Sequence, residues 1–338
     1  MWVVWRQQRS IVIAFALLAV VVAVWTLIMG LHEQSLWREF LSAPCKGEFG
    51  GVTASNAKFC QGLLSSVSSS GKLNEVVLGI GLLFAPLFGL ILGVNAVAYE
   101  IEQKTIRLAW TQSGSRERWL INKYLASVVS LVVVLAPLCW LFSWWVGASH
   151  DAARITQKVF AISGFVEVAC GIFCFALVVV VGLFLRRPGW SLAVGVVLFA
   201  AIFLGFTTQV LPKLGSPSVA VLANTQMGVG SSSGFAMTGA APANSWPLWT
   251  GYEPKTEKGV PSHSLMNRLT THMNQCEASE TPSLSESYCA QHLGLTRIQL
   301  YIPGNQFWTL QSLEGGFYLI AALLLAALSL FVVRRAKA

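Results

Sequence analysis

The chain has few charged residues for its length. Only 11% of its 338 residues are Asp, Glu, Lys or Arg, whereas soluble proteins carry about 25%. Apolar residues make up 54%, and the mean hydropathy is +0.61. Because so few charges cannot cover the surface of a water-soluble protein, the composition excludes a cytosolic enzyme, a secreted domain and a disordered scaffold. It indicates an integral membrane protein.

Residues for catalysis at membrane depth are also scarce. Asp151 is the only Asp in the sequence, which excludes a pair of intramembrane aspartates. All five histidines lie outside the apolar stretches: His32, His150, His263, His272 and His292. The sequence contains no phosphate-binding G-x-x-x-x-G-K-[ST] loop. We therefore expect neither an intramembrane enzyme nor ATP binding by this chain.

Long apolar runs dominate what is present. A helix needs roughly 20 apolar residues to cross a bilayer core of about 30 Å. Six stretches meet that length: Ser10–Leu31, Val76–Ala98, Tyr124–Gly147, Val159–Leu185, Gly189–Val210 and Gly315–Val333. None shows the alternation of a membrane β-barrel strand. The predicted fold is therefore an all-α integral membrane protein with six transmembrane helices.

The distribution of Lys and Arg predicts the orientation. With both termini in the cytoplasm, the inside segments carry a much higher density of basic residues than the outside segments, as the positive-inside rule requires. The inside basic residues are Arg6, Arg9, Lys104, Arg107, Arg116, Arg118, Lys123, Arg186, Arg187, Arg334, Arg335 and Lys337. The net charge of +8 is thus explained by topology and by contact with anionic lipid headgroups, without nucleic acid. We expect a multi-pass protein of the plasma membrane.

This topology divides the chain into four parts. Residues 1–9 form a cytoplasmic amphipathic segment, and residues 10–210 hold the first five spans with a cytoplasmic loop at 99–123. Residues 211–314 form an extracytoplasmic domain, and residues 315–338 form the sixth span with a basic tail. Within the extracytoplasmic domain we predict a loop at Asn224–Trp249, short helices at Ser262–Cys276 and Ser283–Leu293, and an extended segment at Arg297–Pro303.

The seven cysteines fall into two groups. Cys139, Cys170 and Cys174 lie within spans, where thiols behave as small apolar residues. The other four lie in the outside segments and are disulfide candidates: Cys45, Cys60, Cys276 and Cys289. Pairing within each loop and pairing between loops both remain open. A zinc site using His272 and His292 with the last two cysteines is the alternative, but we predict no bound metal.

The loop Tyr99–Lys123 is the largest cytoplasmic connection. Its charges are of both signs, and apolar Ile106, Trp110 and Trp119 lie among them. We predict that the second helix continues to about Trp110, and that the third restarts after Ser115 as its N-cap. An ordinary solvated turn is the simpler alternative. However, a connection this long, with aromatics that prefer the headgroup interface, favours an amphipathic element that receives force from a soluble partner.

At this loop the sequence resembles the permease subunits of the type-2 family of ATP-binding-cassette exporters, especially the six-span permeases common in actinobacteria. That family typically carries E-x-E-x-x-T after its second span, then an Arg, then a Lys opening the third span. The matching residues here are Glu100, Glu102, Thr105, Arg116 and Lys123, with Lys104 where members usually carry Gly. The opening Trp5-Arg6-Gln7-Gln8-Arg9 and the stretch Pro303–Gly316 also look like these permeases.

The resemblance implies a homodimer or heterodimer of permeases working with two copies of a cytosolic ATPase, which binds ATP and Mg. This chain itself would carry no cofactor. The resemblance also implies that the Glu100–Lys123 region is a coupling helix that docks on the ATPase. The residues assigned to this coupling are Glu100, Glu102, Thr105, Arg107, Arg116, Arg118 and Lys123.

Three polar residues are candidates for the translocation path. Glu167 lies in the fourth span, Asn95 lies near the inner end of the second, and Glu314 precedes the last. Ionisable groups at membrane depth are costly and usually have a role. The alternative for Glu167 is a position near the outer leaflet, paired with Lys158 or Arg154.

We expect an export permease that moves a hydrophobic or amphipathic substrate, such as a lipid, natural product, drug or peptide. The alternative is a membrane sensor or assembly subunit whose extracytoplasmic domain binds a ligand. The elaborate cytoplasmic loop favours the exporter.

Overall fold

The computed structural model describes residues 2–42, 75–103, 115–148, 157–221, 245–254 and 295–335, with a few single residues between 268 and 293. The chain forms two compact units. We call the first the membrane unit; it comprises Met1–His150, Phe160–Leu211 and Thr309–Ala338. The second comprises Asp151–Val159 and Pro212–Trp308.

Apolar helices make up the membrane unit. The helices are α1 (Trp2–Ser42), α2 (Glu75–Glu102), α3 (Arg116–Ala148), α4 (Gln157–Ile162), α5 (Val166–Leu185), α6 (Pro188–Gly205) and α7 (Phe307–Arg335). The first residues of α4, up to Val159, and of α7, up to Trp308, belong to the second unit. In the described part of the chain, six of them are long and apolar enough to cross a membrane, and α4 is too short. The prediction of a six-span helical membrane protein is confirmed.

The helices extend beyond the apolar runs that predicted them. α3 begins at Arg116, as the predicted Ser115 cap requires and two turns before its apolar run starts at Tyr124, and α7 begins at Phe307, before its apolar run starts at Gly315. Similarly, α1 begins at Trp2, so the predicted amphipathic segment continues directly into the first span. Hydropathy locates the apolar core of a span, whereas backbone hydrogen bonding continues into polar residues at the interface.

The fourth span differs from the prediction of one continuous helix over Val159–Leu185. α4 ends at Ile162, Gly164 adopts a left-handed conformation with φ of 75°, and α5 begins at Val166. Gln311 of α7 donates hydrogen bonds from Nε2 to the carbonyl oxygens of Phe160 (2.8 Å) and Ser163 (2.9 Å). Because those carbonyls are satisfied from another helix, the chain tolerates this break within the apolar run.

α5 is the central helix of the membrane unit. Most of its residues are buried, and it packs against α2, α3 and α6. The contact with α2 is close because Gly89 lies directly against the carbonyl oxygen of Gly171, where any side chain would overlap it. Small residues that let two backbones approach are typical of helix packing in membranes.

The second unit contains a three-stranded antiparallel sheet in the order β1–β3–β2. The strands are β1 (Ser218–Val221), β2 (Trp246–Pro254) and β3 (Leu295–Ile302), with a register shift between Pro247 and Trp249. β3 confirms the predicted extended segment. The predicted loop Asn224–Trp249 is wrong at its end, because β2 already begins at Trp246, where aromatic and apolar residues favour strand pairing.

The predicted short helices of this unit are described only in part. The described residues between 268 and 275 are helical, in agreement with the helix predicted at Ser262–Cys276. The helix predicted at Ser283–Leu293 lies almost entirely outside the described residues.

Candidate functional site

The junction between α2 and α3 carries the predicted coupling residues. α2 ends at Glu102, and Gln103 closes its last turn by donating its N–H to the carbonyl of Tyr99, so the predicted continuation to Trp110 is wrong. Residues 104–114 lie outside the described residues, and with them Thr105 and Arg107. The predicted cap of α3 is confirmed, because the Ser115 hydroxyl accepts the Arg118 N–H at 3.2 Å.

Lys123 and Glu100 form a buried ion pair between α3 and α2. Lys123 Nζ lies 2.6 Å from Glu100 Oε1, and the two residues are 1% and 7% exposed. Lys123 Nζ also donates to the carbonyl oxygen of Ala96 at 2.7 Å, within the π-helical turn Val94–Ala98 of α2. The lysine therefore pairs with a charge and satisfies a backbone group of an irregular turn. We call this the Lys123–Glu100 pair.

Burial separates the predicted coupling residues into two sets. Glu100 and Lys123 point into the membrane unit, whereas Glu102 and Arg118 are exposed and Arg116 is half-buried. The acid Glu100 therefore presents no surface to a soluble partner. Its position suits it to hold α2 and α3 together behind the exposed residues.

A second ion pair at this end escaped sequence analysis. Arg334 near the end of α7 contacts Glu117 in the first turn of α3, with N–O distances of 2.8 and 2.9 Å. The two residues are 217 positions apart, so no spacing rule connects them. The pair is exposed, and exposed ion pairs contribute little to stability.

Two of the three predicted path residues line one small cavity in the membrane unit. Glu167 and Cys170 of α5 face it together with Glu314 and Tyr318 of α7. Apolar side chains complete its walls, among them Leu82, Pro86 and Phe203. We call it the carboxylate cavity. The third path residue, Asn95, lies elsewhere, half-buried in the π-helical turn of α2.

The two carboxylates are buried to a similar degree, at 3% exposed for Glu167 and 1% for Glu314. Glu167 Oε2 accepts a hydrogen bond from Cys139 Sγ at 3.5 Å. Within the described chain, Glu167 Oε1 is buried without a hydrogen-bond partner, and the Glu314 carboxyl and the Tyr318 hydroxyl interact with each other. The predicted alternative partners of Glu167, Arg154 and the Lys158 side chain, lie outside the described residues.

The break in the fourth span builds this cavity. It places Glu167 in the first turn of α5, where the helix dipole stabilises a negative charge. Gln311, whose Nε2 donates to the carbonyl oxygens at the break, lies three residues before Glu314 on α7. The two side chains therefore lie on one face of α7, which contributes both to the break and to the cavity. Glu314 lies inside α7 and has no helix terminus to stabilise its charge.

The cysteines in the spans are reduced and buried, as expected for Cys139, Cys170 and Cys174. The four disulfide candidates Cys45, Cys60, Cys276 and Cys289 lie outside the described residues. Across the residues that the structure describes, no group of three His, Cys, Asp or Glu side chains is arranged to hold a metal ion.

Comparison with known families decides the class. The family model described as ABC-2 membrane transporter related matches residues 15–211, more than half of the chain. The chain belongs to that family. It is thus a permease subunit of an ABC transporter. Membership of this family implies an ABC ATPase as its partner. No curated protein and no solved structure matches the sequence significantly.

The matched region of the permease includes the Lys123–Glu100 pair and Glu167, whereas the sheet and α7 lie beyond it. Glu314 and Tyr318 therefore belong to the part of the permease that the family model does not match.

Proposed function

We propose that this permease exports an amphipathic substrate, and that the exposed residues at the α2–α3 junction transmit the ATPase movement to the helices. The Lys123–Glu100 pair carries this proposal. It fastens the end of α2 to the beginning of α3 with a 2.6 Å contact. A force applied at Glu102 or Arg118 then moves both helices as one body.

The connections of α2 support movement of this kind. α2 packs through its π-helical turn on the central helix α5, and α5 also contacts α3 and α6. π-helical turns are frequent at functional sites, because the irregular hydrogen bonding gives the helix a place to adjust. Displacement of the α2–α3 junction would reach the central helix through this contact.

The proposal also covers the orientation of the permease in the membrane and its assembly with other subunits. Both termini lie in the cytoplasm, as the concentration of Lys and Arg at the junction, at Arg186–Arg187 and at the chain end favours. Two permeases, identical or different, work with two ATPase subunits that bind ATP and Mg. The carboxylate cavity then lies toward the extracytoplasmic end of the plasma-membrane protein, because α5 begins there and α6 ends there.

The proposed substrate is hydrophobic or amphipathic, a choice supported by the small number of ionisable groups within the spans. A lipid, a natural product, a drug and a peptide share this character. The cysteines Cys45, Cys60, Cys276 and Cys289 would form disulfides in the oxidising compartment outside the membrane.

Co-purification tests the coupling role. The permease is tagged and expressed in its own host, as wild type and as the double variant Glu102→Ala/Arg118→Ala, and the ABC ATPase that co-purifies with it is quantified. We expect the variant to retain less than about a tenth of the ATPase, because two charged contacts are lost. Glu75→Ala, which removes an exposed acid at the opposite end of α2, serves as the matched control and keeps the ATPase. Full retention by the double variant would contradict docking at the junction.

A further inference from the structure

We propose that the carboxylate cavity binds a primary ammonium group, so that the exported substrate is an amphipathic amine. This inference rests on the proposed export function and specifies its substrate class. Glu167 and Glu314 are its charged ligands, and Tyr318 supplies a third oxygen.

The first step is the balance of hydrogen-bonding groups. In the described chain, Glu167 Oε1 has no hydrogen-bond partner, and the Glu314 carboxyl has only the Tyr318 hydroxyl, which supplies a single donor. Buried polar groups are normally paired, and buried charges are normally compensated. None of the described residues that line the cavity is Lys, Arg or His. A group that brings several donors and a positive charge would complete this site.

The second step is size. The cavity has room for about one water-sized group. An ammonium group is compact and has three donors and no acceptor, which suits a site made of oxygen atoms. A guanidinium group is a broad plane with five donors, and a trimethylammonium group is larger and has no donor. A water molecule fits by size, but it donates only two hydrogen bonds and brings no charge.

The third step is the surroundings of the polar atoms. Leu82 and Pro86 of α2 and Phe203 of α6 give the cavity apolar walls. Because the cavity holds only about one water-sized group, the ammonium group alone would enter it, and the apolar body of the amine would remain outside. The two carboxylates belong to different helices, α5 and α7, so a bound cation would link these helices by attraction to both.

Ligand binding to the full-length permease in lipid nanodiscs tests the proposal without the ATPase. The probe is dodecylamine in its ammonium form, and the comparison compounds are dodecyltrimethylammonium and dodecanol, which carry the same chain. Binding is followed by the fluorescence of the tryptophans and by the thermal unfolding midpoint. We expect dodecylamine to bind at least about tenfold more tightly than either comparison compound, because only it offers a charge with donors.

The variants locate the binding. Glu167→Gln and Glu314→Gln should each weaken dodecylamine binding at least about tenfold, because each removes a charged acceptor and keeps the side-chain shape. Tyr318→Phe should weaken it by a few-fold and provides a test with little change in packing. Glu75→Gln removes an exposed acid and should bind like the wild type, which controls for attraction to the membrane surface.

Two results would overturn the ammonium site: equal binding of dodecyltrimethylammonium and dodecylamine, or wild-type binding by both Gln variants and by Tyr318→Phe. Failure of this inference is distinguishable from failure of the export proposal. Loss of amine selectivity with intact ATPase co-purification rejects only the substrate class. Selective amine binding by a permease that captures no ATPase retains the site and rejects the coupling role.

Discussion

The two ends of the membrane unit handle buried charge in opposite ways. At the α2–α3 junction, Lys123 and Glu100 lie 2.6 Å apart, and the lysine also donates to a backbone carbonyl. At the carboxylate cavity, Glu167 and Glu314 share a space without a basic side chain among the described residues that line it. In the first arrangement the acid has a basic partner, whereas the second lacks a positive group among the described residues.

This difference separates a structural role from a binding role. A buried pair of opposite charges holds two helices in place, and removal of either member leaves the other charge buried alone. Buried acids without partners decrease stability, and such residues at membrane depth are usually retained for function. The comparison predicts opposite consequences when each charge is removed.

The largest effect is expected at the Lys123–Glu100 pair. Lys123→Met should lower the free energy of unfolding by about 3–5 kcal/mol, because it leaves the Glu100 carboxylate buried without its cation. The measurement is unfolding of the purified permease in detergent, followed by heating or by titration with a denaturing detergent.

The double variant Lys123→Met/Glu100→Leu is the control, because it removes both charges and replaces them with apolar groups. It should recover most of the lost stability. A double variant as unstable as Lys123→Met alone would show that the lysine acts through its contacts with Ala96 and Trp119, and not through the charge of Glu100.

An intermediate loss of stability is expected at Gly164, in the break between α4 and α5 that positions Glu167 at the cavity. Gly164→Ala should lower the free energy of unfolding by about 1–3 kcal/mol, because φ is positive there and a methyl group would lie 2.6 Å from Gln311 Oε1. Unfolding in detergent again provides the readout. Gly316→Ala is the matched control, since its methyl group would meet nothing within 4 Å, and it should be neutral or slightly stabilising. Equal stability of the two variants would refute the strained break.

The smallest effect on stability is expected at the carboxylate cavity. Glu314→Gln should unfold at or slightly above the wild-type midpoint, within about 1 kcal/mol, because it removes an uncompensated acid and keeps the shape of the side chain. Thermal unfolding without added amine is the measurement. A large loss of stability would place Glu314 with the paired residues and remove the contrast between the two ends.

The sequence predicted features that depend on neighbouring residues and missed features that depend on residues far apart in the chain. Spans, the Ser115 cap and the strand at Leu295–Ile302 follow from neighbouring residues, because hydropathy and capping act over a few positions. The break at Gly164 was not predicted, because the amide that satisfies it belongs to Gln311, 148 residues from Ser163. The Glu117–Arg334 pair escaped prediction for the same reason.

The predicted site residues show the same limit. Glu100, Glu102, Arg118 and Lys123 were all assigned to a docking surface, because the family resemblance covers the whole loop and does not separate buried from exposed residues. Burial then separated Glu102 and Arg118, which are exposed, from the internal pair. Glu167 and Glu314 were chosen separately as path residues, and no property of the sequence indicated that they line one cavity.

The scarcity of charge determined that this chain is a membrane protein, and its six long apolar runs determined the number of spans, because both are properties of the linear sequence. The resemblance around Glu100 and Lys123 indicated the permease class, and the family match established it. Tertiary structure decided which of the few charges are partnered. Pairing depends on contacts between helices distant in sequence, and only folding brings Lys123 to Glu100 and leaves Glu167 and Glu314 together around a cavity.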